Sequence, residues 1–223
     1  MIEESFISSR RPSPLGGRKP TKDDLAEFAT DNPDAIDDVL PVRSGELSML
    51  IVGINPGLWT AAVNAPFARP GNRFWPSLHQ AGLTDHLVDA SLGLAVEDEA
   101  QLLARGIGIT NLVGRATARA DELDKKELRE GAARLVRRLD DIRPKVVAVA
   151  GITSFRIGYS LPKAHLGEQD TRLSSMAGPR VSTFTSYLSP AASMPIYQVP
   201  DLARIWRDVW RASRTEAAAL MRS

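Results

Sequence analysis

Three short apolar runs constrain the fold of this chain more than any other feature: LSMLIVGI at residues 47–54, GIGITNLV at 106–113 and KVVAVAG at 145–151. None alternates apolar with polar residues. Each therefore predicts a strand buried on both faces, as in a parallel sheet covered by helices. Helical patterns separate them. GNRFWPSLHQAG at 71–82 predicts a helix with Asn72 near its cap, provided that Pro76 lies in the first turn. A second short helix is expected at 97–104. DKKELREGAARLVRRLDDIRP at 124–144 has Asp124 as N-cap, Glu127 completing a capping box, and an apolar stripe of Leu128, Leu135, Val136 and Leu139. ITSFRIGYS at 152–160 predicts a helix, and RVSTFTSYLSP at 180–190 a fourth, less apolar strand. VPDLARIWRDVWRAS closes the pattern, with Leu202, Ile205, Trp206 and Val209 on one face and Arg204, Arg207 and Arg211 on another. Strands alternating with helices imply a three-layer α/β/α sandwich around a central, mainly parallel sheet of four to five strands. Sites in such sheets lie beyond the carboxyl ends of the strands. The segments NPG, TNLV and SPAAS occupy those ends.

One domain is expected over residues 39–214. Residues 1–38 read as a flexible, charged arm with a short helix capped by Thr21, and 215–223 as a tail. The chain has no cysteine, which excludes disulfides, thiolate catalysis and cysteine-bound metals. No run approaches the ~18 consecutive apolar residues of a membrane helix, and the first twenty or so residues lack an apolar signal core. A cytoplasmic protein without membrane association is expected. His79, His86 and His165 are scattered, so no metal is expected. Net charge is only +1, but residues 1–22 carry +3, residues 23–47 carry −7 and residues 202–223 carry +3. Solvated faces are the plainer reading of such runs; the basic ends could also meet phosphates.

Asn55 stands at the end of the first strand, in MLIVGINPG, between Ile54 and a Pro-Gly turn. The turn alone does not require it. An Asn bonding its own backbone is one reading. A phosphate loop is another, although neither G-x-G-x-x-G nor G-x-x-x-x-G-K-[ST] is present. The segment APFARPGNRFW then packs aromatics, prolines and two arginines into residues 65–75. Phe67, between Pro66 and Ala68, is a loop aromatic that could stack on a flat ring. Arg69 and Arg73 can neutralise phosphates.

Taken in order, GINPG, PFARPGNRFW and GIGITNLVGRAT resemble the mismatch-specific uracil-DNA glycosylase and thymine-DNA glycosylase family, within the uracil-DNA glycosylase superfamily. The resemblance runs from about Val39 to Ala150 and more faintly to Trp210. It implies hydrolysis of the N-glycosidic bond of uracil, with thymine and other damaged pyrimidines as further candidates, in mispaired double-stranded DNA. By that resemblance Asn55 positions the attacking water and Phe67 stacks on the flipped base. Ile54, Asn111 and Thr117 complete the base-binding set. Gly57, Arg69, Asn72 and Arg73 join Ser189, Ser193 and Met194 as the DNA-contacting set. No cofactor is implied, the partner is duplex DNA carrying G:U or similar mispairs, and a monomer suffices.

Such chemistry suits an Asn. The sugar becomes oxocarbenium-like while negative charge grows on the departing base, so the catalyst must orient a water and bond the leaving oxygens. A carboxamide can do the first but cannot take a proton at neutral pH. An Asp would be a true base, so an Asn predicts a slower enzyme. The family's last motif, NPSGL or similar, is replaced here by YLSPAASMPIY. Ser189-Pro190 stand where Asn-Pro would, with Ser193 or Met194 as the wedge. Two rivals remain open: a damaged-DNA binding module of the same fold with weak or no catalysis, and a nucleotide-binding α/β protein.

Overall fold

The computed structural model describes residues 8–41, 47–169, 180–184 and 198–220. In chain order the elements are α1 (Lys22–Glu27), β1 (Met49–Gly53), α2 (Leu58–Val63), α3 (Phe74–Gln80), α4 (Val96–Ala104), β2 (Ile107–Asn111), α5 (Lys125–Ile142), β3 (Val146–Ala150), α6 (Ile152–Gly158), β4 (Gly167–Gln169), β5 (Arg180–Phe184) and α7 (Val199–Leu220), with a 3₁₀ turn at Ala120–Glu122. Among the described residues the sheet has five strands in the order β2-β1-β3-β5-β4. β1 runs parallel to β2 and to β3, and β3 parallel to β5. Among the described residues only β4, at one edge, is antiparallel.

Because successive strand residues point to opposite faces, each central strand feeds two cores. Met49 and Ile51 join Val146, Ala148, Phe74, Leu78, Leu202 and Trp206 on one side. Leu50 and Val52 join Val147, Val149, Leu128, Leu135 and Phe155 on the other. Helices α3 and α7 thus cover one face and α5 and α6 the other, which is the three-layer sandwich read from the sequence. On the first face the Trp206 indole Nε1 donates to Ser77 Oγ at 3.0 Å, and Ser77 Oγ donates to Phe74 O at 2.8 Å. That pins α7 to α3.

Helix α5 starts as its sequence predicts. Glu127 N donates to Asp124 Oδ1 at 2.7 Å, and Asp124 N donates to Glu127 Oε2 at 2.9 Å. Pro76 is the third residue of α3, where it costs no hydrogen bond. Helix α2 and strand β4 carry too little periodicity to be seen in sequence: the first has six residues and no side-chain cap, the second only three residues. Helix α7 runs on to Leu220, past the apolar stripe, because residues 216–220 are strong helix formers.

Residues 8–38, expected from composition to be flexible, make specific contacts along the domain. Asn64, at the C-terminus of α2 with φ 49°, is 4 % exposed. Its Nδ2 donates to Arg11 O at 2.7 Å and to Asp37 Oδ2 at 2.9 Å, and its Oδ1 accepts from Asp37 N at 2.8 Å. Arg10 donates to the Asn64 carbonyl, and Ser8 Oγ donates to Glu99 Oε2 at 2.5 Å. Arg138 pairs with Asp38, and Val39 bridges Ile109. Ala35 N donates to Gly114 O at 3.4 Å, and a Cβ on Gly114 would collide with the Pro33 carbonyl. A single buried amide therefore ties much of this strap down. Asn64→Ala should cost about 1–3 kcal/mol, because it strands the part-buried Asp37 N–H and Arg11 carbonyl. Urea unfolding measures that loss, and trypsin cleavage within residues 18–22 should accelerate in parallel.

Candidate active site

A cavity of about 570 Å³ opens at the carboxyl ends of β1 and β2. Ile54, Asn55, Pro56, Gly57, Phe67 and Asn111 line it, as do Arg69, Asn72 and Thr117. The structure thus gathers most of the sequence-predicted residues into one place. Parallel pairing explains why. Gly53, the last residue of β1, is in register with Asn111, the last of β2, so the loops that follow leave the sheet side by side.

Asn55 is held by its amide nitrogen. Nδ2 donates to Thr117 Oγ1 at 2.7 Å, to Arg115 O at 3.0 Å and to Pro56 O at 3.2 Å. Backbone carbonyls can only accept, so the NH₂ end must face them. The Thr117 hydroxyl donates its own proton to Arg119 O at 2.7 Å and is left to accept from Asn55. One orientation of the carboxamide satisfies this chain. No described residue donates to Asn55 Oδ1, which remains an acceptor at the cavity. Thr117 is itself only 3 % exposed, and its N–H donates to Pro56 O at 3.1 Å.

The loop supplying Arg115 O is braced from outside. Arg115 Nε donates to Glu127 Oε1 at 2.7 Å and a terminal nitrogen to Oε2 at 3.1 Å, the two-pronged geometry of a strong ion pair. The Arg115 guanidinium, helped by the Asp124 N–H, holds the Glu127 carboxyl below its ordinary value.

Phe67 adopts φ 54°, in the left-handed region that bulky side chains rarely enter. Packing holds it there. Its ring stacks on Phe74 with centroids 3.8 Å apart and planes 18° apart, and Trp75 Nε1 donates to Pro66 O at 3.1 Å. Phe74 meets Trp206 edge-on at 5.6 Å. One face of Phe67 is therefore covered by the core while the ring also lines the cavity. Backbone strain of this kind costs on the order of 1–3 kcal/mol and clusters at functional sites.

Asn111 and Phe67 converge over Gly53: a Cβ there would lie 2.5 Å from Asn111 Oδ1 and 3.5 Å from Phe67 Cζ. Gly151, with φ 135°, makes the same allowance for Ile54 Cδ1 at 2.7 Å. The Ile54 carbonyl accepts from Val113 N at 2.9 Å.

The remaining predicted residues are more dispersed. Gly57 caps α2 and bridges Thr117. Asn72 Oδ1 accepts from Phe74 N at 2.9 Å, so it satisfies the first N–H of α3 while lining the cavity. Arg69 is exposed at the cavity, whereas Arg73 stands at the start of α3 and does not line it. Ser189, Ser193 and Met194 lie outside the described residues. Sequence reasoning missed Lys19, Leu25 and Trp59, which also line the cavity. Trp59 is fixed by donating Nε1–H to Ser91 O at 2.8 Å. Among the described residues no group of three His, Asp or Glu could hold a metal ion, and no helix is long and apolar enough to cross a membrane.

A family model described as the Uracil DNA glycosylase superfamily matches residues 42–210, well over half of the chain. The chain belongs to that superfamily, and the α/β sandwich is its fold.

Gly53→Ala should push the Asn111 carboxamide out of place and destabilise the protein by about 1–3 kcal/mol through overpacking. A crystal structure of the variant and its urea midpoint check this; an unmoved Asn111 at wild-type stability would contradict the crowding seen here.

Proposed function

Since superfamily members are DNA glycosylases, we propose that this chain removes uracil from mispaired double-stranded DNA by hydrolysing the N-glycosidic bond of a flipped nucleotide, with Asn55 positioning the water. The observation that carries the reading is the anchored carboxamide, whose nitrogen is tied to Thr117, Arg115 and Pro56 and whose oxygen is left for a ligand at the cavity. A water donating to Asn55 Oδ1 is held without being deprotonated. As the C1′–N1 bond lengthens, the sugar becomes cationic enough to be attacked by neutral water. The water oxygen bonds C1′, the base leaves as an anion, and the water's proton is released only afterwards. Catalysis is then orientation plus stabilisation of charge, with water as the only co-substrate.

The base must leave the duplex to enter the cavity. Extrusion costs a few kcal/mol, and least at a mispair, which favours G:U and similar pairs without reading sequence. In the cavity, Phe67 offers a platform backed by Phe74. The Asn111 carboxamide offers a donor and an acceptor side by side, as the edge of uracil does. Thymine opposite guanine is a further candidate substrate, and a monomer acting on DNA is enough for each step.

Asn55→Ala should lower single-turnover uracil release by about 10²-fold or more, the scale of a lost group that acts on the nucleophile, with duplex binding retained. The assay is alkali cleavage of a fluorescent duplex carrying one uracil opposite guanine. If the wild-type chain binds that duplex but releases no base, the reading gives way to a damaged-DNA binding module.

Thr117→Val should lower the same rate by up to about 10²-fold, since it frees the amide to turn, whereas Thr117→Ser should preserve it. Equal rates in the Val and Ser variants would count against the role of the hydroxyl.

A further inference from the structure

Residues 8–41 precede the stretch that matches the superfamily, yet they contribute to the cavity wall. Two of its lining side chains, Lys19 and Leu25, come from this strap. Their position is built rather than incidental. Pro20, between them, is buried and fixes the backbone. Thr21 caps α1, accepting from Asp24 N at 3.2 Å while its own N–H donates to Asp24 Oδ2 at 2.7 Å. Arg18 donates to both oxygens of Asp24, at 2.6 and 2.5 Å. Its guanidinium holds the Asp24 carboxyl well below the usual carboxylate range, so this pair stays ionised and mutually neutralised.

Lys19 is left over. It is exposed at the cavity, and no described carboxylate pairs with it. Arg69 is in the same condition, whereas Arg119, also at the cavity, is committed to Asp121 at 2.9 and 3.1 Å. A nucleotide that enters the cavity brings a phosphate on each side of its sugar to the rim. Resting on the reading of this cavity as a glycosylase site, we propose that Lys19 binds a DNA backbone phosphate flanking the extruded nucleotide, so that the strap outside the superfamily match forms part of the DNA-binding surface. The eight acids within residues 23–47 offset any long-range field from the strap. Lys19 therefore acts at contact range, as one phosphate ligand and not as a basic arm.

The test is fluorescence anisotropy of the full chain on a duplex with one uncleavable 2′-fluoro-deoxyuridine opposite guanine. Wild type, Lys19→Gln and Lys19→Arg are titrated between about 50 and 200 mM salt. Losing one phosphate contact should reduce the slope of log K against log salt by about 0.9 and weaken binding about five- to tenfold near 0.1 M salt. Lys19→Arg should restore both, and melting temperatures should not change. A Lys19→Gln slope and affinity equal to wild type would overturn the proposal while leaving the glycosylase reading intact. A wild-type chain that neither binds this duplex nor releases uracil from its cleavable counterpart would overturn both.

Discussion

Strand β1 is hydrogen-bonded along both edges and buried on both faces, and the site follows from that constraint. Its side chains, Met49 to Val52, are 0 % exposed. A slip of one residue against β2 or β3 would exchange the two cores and bury nothing correctly. The register is therefore fixed, and with it the level at which the chain leaves the sheet. Gly53 and Asn111 end their strands together. Loops starting from the same level must pack against each other, and Asn55 meets Thr117 across 62 residues of sequence as a result.

The catalytic geometry proposed here depends on neutral groups held by charged ones at a distance. Among the described residues no ionised side chain bonds Asn55. Its partners are a hydroxyl and two carbonyls, which set direction without shifting a proton equilibrium. The charge lies one step away, where Arg115 grips Glu127, and Glu127 in turn caps α5. Helix start, loop position and amide orientation are thus linked through one carboxylate. Phe67 is treated similarly: the core, through Phe74, Trp75 and Trp206, holds a backbone conformation that the residue would not choose alone.

Much of this was legible in the sequence, and the rest was not for definable reasons. Unbroken apolar runs gave the three central strands, and the Asp124–Glu127 spacing gave the start of α5, because those signals are local. Asn55 and Phe67 stood out because a turn and a loop do not need them. The role of Thr117 as the acceptor that orients Asn55 was hidden, since it depends on where a proton goes across the fold. Arg115 contributes a carbonyl, which any residue has. The strap's contacts were hidden for a different reason. Its Pro, Gly and Arg content carries no periodic signal, whereas its contacts with the domain are single points, chiefly at Asn64.

Those point contacts bear on how the protein is divided for the bench. A recombinant fragment trimmed to the superfamily boundary would begin at residue 42 and keep most of both cores, losing Val39 from one and the Leu40 contact from the other. It would nevertheless lose Lys19 and Leu25 from the cavity, and the Asn64 amide and Gly114 would be exposed to solvent. Such a fragment would present a wider mouth than the intact chain does. For this protein the homology boundary and the boundary of the folded unit are different lines.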